Sequence, residues 1–139
     1  MYSAPAPGRA ATYRRLDVET RVHAADSHEL IRLLFDELLR SIAAARQAMA
    51  ARDIAGKAAA IGQAVRVVDE GLRAAVDPTA GGDLARKLLD LYDCVLARLT
   101  LANLRNDPRL LDEAAALVKP VRDAWLDIRP GLVSARGAH

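Results

Sequence analysis

Four stretches of apolar residues at three- and four-residue spacing, joined by links too short to span a helix, constrain this chain more than any other feature. The links are "ARD" at 51–53, "VDPTAGGD" at 76–83 and "NDP" at 106–108. A helix that ends at a tight link must be followed by one running back beside it. The spacing therefore predicts an all-α fold, an antiparallel up-and-down four-helix bundle. Composition agrees: alanine and leucine outnumber the β-branched residues, and aromatics make up only 4% of the chain. With 139 residues and 52% apolar content, one domain with a sizeable core is expected.

Residues 1–25 read as a flexible N-terminal tail and docking segment. "MYSAPAPGRAA" has no apolar period, whereas Tyr13, Leu16, Val18 and Val22 can dock onto an apolar surface. The bundle is expected over 26–128, with a second flexible tail at 129–139. Asp26 or Ser27 should start a first helix at about 27–52, with Leu30, Ile31, Leu34, Leu38, Ile42, Ala45 and Met49 inward. Asp53 is the expected cap of a second helix carrying Ile54, Ala58, Ile61, Val65, Val68 and Leu72 at core spacing. Asp83 offers a cap for a third helix, ending near Asn106. Asp107 followed by Pro108 opens a fourth on Leu110, Ala114, Leu117, Val121, Ala124 and Ile128. Pro120 should bend that helix or remove one backbone bond near Ala116, and "RPG" at 129–131 closes it.

The third helix, "DLYDCVLARLTLANLRNDP", carries more leucine than one buried face can use. At 100° per residue Leu84, Leu88, Leu91, Tyr92, Val95, Leu99 and Ala102 form the stripe expected to face the bundle. Leu89 and Leu96 fall about a quarter-turn away, and Cys94, Ala97, Leu101 and Leu104 project toward the opposite side. Phe35 and Leu39 give the first helix a milder excess. Ala60, Ala64, Val67 and Gly71 form a small-residue strip beside the seam of the second. A contiguous apolar strip of this kind is expected to bind a partner, with the segment around Tyr13 as an occupant when the partner is absent.

Reactive groupings are not evident. Seventeen Arg and three Lys face eighteen acids, and the charges are interspersed, with the middle of the chain at net −2, so no nucleic-acid face is expected. The single Cys94 allows no internal disulfide, and no apolar run reaches membrane-spanning length, which points to a reducing cytoplasm and no membrane insertion. His23 and His28 lack metal-ligand spacing, Asp90 and Asp93 read as solvated acids, and Gly81-Gly82 lacks the surroundings of a phosphate loop. No cofactor, metal or catalytic residue is expected. The alternatives are a histidine phosphotransfer bundle, for which His28 is the sole candidate although it reads as a solvated first-turn residue, and a generic helical adaptor.

The order of "DSHELIRLLFDELL", "GLRAAVDPTAGGDLARKLLDLYD", "RLTLANLRNDPRLLDEAAAL" and "AWLDI" resembles the flagellar export chaperones of the FliS family, from about Tyr13 to Ile128. The resemblance rests most on Gly81-Gly82, Leu91-Tyr92, Ala102-Asn103, Asn106-Asp107 and Ala124-Trp125. It implies a non-enzymatic cytoplasmic chaperone around which the disordered C-terminal segment of flagellin wraps, with other flagellar export proteins as further partners. It also implies that Tyr13 lies over part of the client groove. Tyr92 and Trp125 stand out among few aromatics, and either the groove or the core suits them. The residues expected to meet the partner are Tyr13, Ala60, Ala64, Val67, Leu89, Tyr92, Cys94, Leu96, Ala97, Leu101 and Leu104. The chain departs from the family pattern at Cys94-Val95 and at Glu37.

Overall fold

The computed structural model describes residues 24–128 except 78 and 80. Residues 1–23 and 129–139 lie outside it, and with them Tyr13, Leu16, Val18, Val22 and the "RPG" stop. Four helices make up the described chain: α1 (Ala24–Ala50), α2 (Ile54–Arg66, continuing as a π-helical turn Val67–Leu72), α3 (Gly82–Arg105) and α4 (Pro108–Asp127). Because α1 already runs from Ala24, neither Asp26 nor Ser27 is its N-cap.

Two of the three links use the same device. At the end of α1, Arg52 takes a left-handed backbone (φ 58°), Asp53 N–H donates to Ala48 O at 2.8 Å and Arg52 N–H to Met49 O at 3.1 Å. These are the paired bonds of a Schellman end, which is why the helix stops at Ala50 and not at Arg52. Asp53 then caps α2, its Oδ1 accepting from Gly56 N–H at 2.9 Å. At the end of α3, Asn106 is left-handed (φ 52°), Asp107 N–H reaches Ala102 O at 3.2 Å, and Asp107 caps α4 through Arg109 N–H at 3.0 Å with Pro108 in the first turn. The α2–α3 link is longer, and Asp83 lies inside α3 instead of capping it. Gly81 is the N-cap and Gly82 adopts φ 58°, a conformation that disfavours any side chain.

Short corners produce a ring. α1 packs on α2 and α4 and α3 packs on α2 and α4, with the diagonal pairs standing further apart across the shared core. Polar ties give the directions: Asp36 bonds Arg122 Nε at 2.7 Å while Arg46 pairs with Asp112 at 3.1 Å, so α1 and α4 are antiparallel. Lys57 reaches Asn103 and Arg73 reaches Asp93, so α2 and α3 are antiparallel too.

The core holds Leu38, Ile42, Ala45 and Met49 of α1 as expected, and also Phe35, which is 2% exposed and not surplus. On α2 the seam is rotated. Ile54 is 76% exposed and Ala58 is exposed, whereas Ile61, Ala64, Val67, Val68 and Leu72 are buried. The cause is the small-residue strip, which is spent on α1: Gln63 meets Glu37, and a Cβ built on Gly71 would come within 3.1 Å of Leu34. The π-helical turn widens the helix enough to bury two consecutive valines. On α4 the seam is Leu111, Ala114 and Val118, with Val121 and Trp125 packed behind: Ala114 and Val121 are inward as expected, while Leu111, Val118 and Trp125 stand one position on from Leu110, Leu117 and exposed Ala124. On α3 the expected stripe holds from Leu88 to Ala102, but Leu84 is 64% exposed and Ala85 takes its place. Pro120 does not end α4. It and Ala116 are on the exposed side, where water can reach the carbonyl that loses its donor.

His28 is the largest correction. It is buried, stacked on Trp125 with ring centroids 4.9 Å apart, and its Nε2 donates to Trp125 O at 2.9 Å. Trp125 Nε1 donates back to His28 O at 3.0 Å. The reciprocal pair joins the start of α1 to the end of α4.

Leu99 is fully buried, so Leu99→Ala should cost roughly 2–5 kcal/mol, read from the urea midpoint. The Asp107 carboxyl is held below its ordinary range by the side-chain bond from Arg109 and then by the Arg109 backbone N–H. A depressed folded value contributes stability above the unfolded value and loses it as pH falls through the folded one. The urea midpoint of wild type should therefore decline in acid more steeply than that of Asp107→Ala.

Candidate functional site

The outward face of α3 is built by helical geometry alone. With Val95 and Leu99 at the core, positions 94, 97, 101 and 104 fall within one arc on the far side of the helix. Cys94 and Ala97 are exposed, Leu101 is half-buried, and Leu104 is 78% exposed. Leaving a leucine this open forgoes up to roughly 1.5–3 kcal/mol of burial. The strip continues toward α4 through half-buried Leu91 and Leu117. It is bordered there by Arg98, whose Nε lies 2.8 Å from Glu113 Oε1 as an ion pair without hydrogen-bond alignment.

Leu89 and Leu96 lie on the other flank, toward α2, and are half-buried. Leu96 packs on the core, and Arg73 anchors this flank by pairing with Asp93 and donating to Leu89 O. The expected partner residues thus divide into two strips with exposed Asp93 and Thr100 between them, and exposed Asp90 lies in line with the outer one.

The rest of the expected set is interior. Ala64 is fully buried, Val67 is 7% exposed and Tyr92 is 4% exposed, so none of the three offers a free surface. Ala60 is half-buried and packs against the core. Burial pushes the Tyr92 phenol up to about 12, which keeps it neutral. Tyr13 is outside the described residues. Leu84 and Ile54 are exposed leucine-class residues that the periodicity assigned inward; both stand in the first turn of a helix, where the bundle end leaves them uncovered.

The reactive groups stand apart from one another. Asp93 is committed to Arg73, and His28 Nε2 to a carbonyl inside the α1–α4 contact, so the phosphotransfer reading loses its only candidate. Among the described residues, no cluster of three His, Cys, Asp or Glu could hold a metal ion, and no helix is long and apolar enough to cross a membrane.

An all-helical bundle with an unpaired apolar face defines a helical binding protein of the chaperone class. The family model described as flagellar protein FliS matches residues 9–131. The chain is 42% identical over 113 residues to the flagellar secretion chaperone FliSB of Pseudomonas aeruginosa, covering 81% of this chain and 89% of that one. It is 36% identical over 118 residues to flagellar secretion chaperone FliS of Salmonella typhimurium, covering 85% and 87%. The match to FliS of Escherichia coli is 32% over 123 residues, covering 87% and 90%. The chain belongs to the FliS family of flagellar secretion chaperones.

If the strip is surface and not core, Leu104→Asp should leave the thermal midpoint within the change expected of an ordinary surface substitution, about ±0.5 kcal/mol in stability. Leu99→Asp, one turn and a little back on the inner side, should abolish the cooperative transition seen by circular dichroism.

Proposed function

We propose that this protein holds the C-terminal segment of flagellin in the cytoplasm before export. The segment lies along the outer face of α3 and its flanks, and covering it blocks premature polymerisation and keeps the chain competent for secretion. The observation that carries this reading is the strip of exposed Cys94, Ala97 and Leu104 with half-buried Leu101 on a bundle of the FliS family.

The work is binding without turnover. A disordered client loses conformational entropy on ordering and recovers it by burying apolar surface, roughly 1,000–3,000 Å² for segments that fold as they bind. Half-buried Leu89, Leu96 and Leu101 and exposed Leu104 supply apolar contacts on the chaperone side. The buried core beneath them, from Tyr92 to Ala102, keeps the strip rigid, so little ordering cost falls on the chaperone. Tyr13 is proposed to cover part of the same face when no client is bound.

Titration calorimetry against a peptide of the flagellin C-terminal segment should give about one-to-one binding, with a gain of helical circular dichroism. Leu101→Asp with Leu104→Asp should weaken it at least about tenfold, the equivalent of 1.4 kcal/mol, with the bundle still folded. No heat and no spectral change with wild type would overturn the reading.

A further inference from the structure

The strip on α3 runs down to a cleft. Where the α1–α2 corner meets the end of α3, Ala48, Met49, Arg52, Asp53, Ile54, Lys57 and Asn106 surround an open space of about 510 Å³. Leu104 stands two residues before Asn106, which places the end of the exposed apolar strip at the same end of the bundle as the cleft.

The lining has two kinds of wall. Ala48, Met49 and the 76% exposed Ile54 are apolar. Opposite in character are two cations. Lys57 Nζ donates to Asn103 O at 3.2 Å and Asn106 Oδ1 at 3.1 Å, which leaves one of its three protons uncommitted. Arg52 is exposed, and its guanidinium has no hydrogen bond or ion pair among the described residues. Asp53 is the one acid in the lining, and its Oδ1 is engaged in capping α2. The lining thus carries two cations against one carboxylate, with the five guanidinium donors of Arg52 available.

Arg52 is also an unusual residue for its place. It occupies the left-handed position of a Schellman end, φ 58°, where Gly is the commonest choice and Asn the next. The matching corner between α3 and α4 has Asn there. An arginine held at some conformational cost, its head group unpaired beside an apolar wall, suits a ligand that is anionic and apolar at once.

We propose that this cleft binds the free C-terminal carboxylate of the client segment, Arg52 and Lys57 taking the carboxylate and Met49 and Ile54 the adjoining side chain. The inference rests on the function proposed above. It also sets direction: a client whose last residue sits beyond Leu104 runs parallel to α3 along the strip, with its C-terminus at the Arg52 end.

The test uses two synthetic peptides of the flagellin C-terminal segment, identical except that one ends in a free carboxylate and the other in an amide, titrated into the full chain. The free acid should bind wild type about tenfold more tightly than the amide. Arg52→Asn, which keeps a residue tolerant of the left-handed backbone, should remove most of that difference by weakening the free acid alone, and Arg52→Lys should restore part of it. Equal binding of acid and amide to wild type would overturn the carboxylate site while leaving flagellin binding intact. Equal weakening of both peptides by Arg52→Asn would overturn it too, by assigning Arg52 to a side-chain acid of the client. Failure of both peptides to bind wild type would overturn both this site and the function it rests on.

Discussion

In a ring of four helices each member touches two neighbours and none lies across the diagonal, so every helix keeps one outer face. The rest of the structure depends on that geometry. It is imposed by the corners: left-handed Arg52 and Asn106, each followed by an aspartate cap, turn the chain within three residues and leave no slack for a crossover. Once the ring is set, apolar residues on an outer face have nothing in the chain's own bundle to pack against. For α1, α2 and α4 those faces are mostly polar or small. On α3 that face carries exposed Leu104 and half-buried Leu101 among polar and small residues.

The same ring explains how the remaining apolar surplus is absorbed. Ala60, Ala64, Val67 and Gly71 let α2 approach α1 closely, and the π-helical turn places Val67 and Val68 in the interior together. Phe35 completes the core from the opposite side. At the other end of the molecule, His28 and Trp125 exchange hydrogen bonds to each other's backbone and stack, satisfying one buried and one half-buried polar ring at the open junction of α1 and α4. A histidine so engaged is a structural tie between chain segments 97 positions apart. Rigidity in these places leaves the α3 strip as a preformed surface.

The function proposed above asks for apolar area that stays folded and open without a client. Burying Leu99, Val95 and Ala102 directly beneath exposed Leu104 and Ala97 does this, because the same helix is anchored on one side and free on the other. Ion pairs along the borders, Arg73 with Asp93 and Arg98 with Glu113, fix the edges of the strip without covering it.

Periodicity and turn chemistry were enough to read four helices, their antiparallel order, the aspartate caps at Asp53 and Asp107 and the surplus on α3, because each depends on residues within a few positions of one another. The sequence order also sufficed for the family. Only the packed structure decided which way each helix is rotated: that Ala64 and Val67 are interior, that Leu84 and Ile54 are exposed, and that Leu111 and Val118 are the core of α4 beside Ala114. Rotation of this kind is set by how closely two helices approach, and that distance comes from small residues meeting a side chain on another helix, as Gly71 meets Leu34. The burial of His28 was hidden for the same reason. Its partner Trp125 is remote in the chain, and a helix wheel records only angle around one axis, with nothing about what stands opposite.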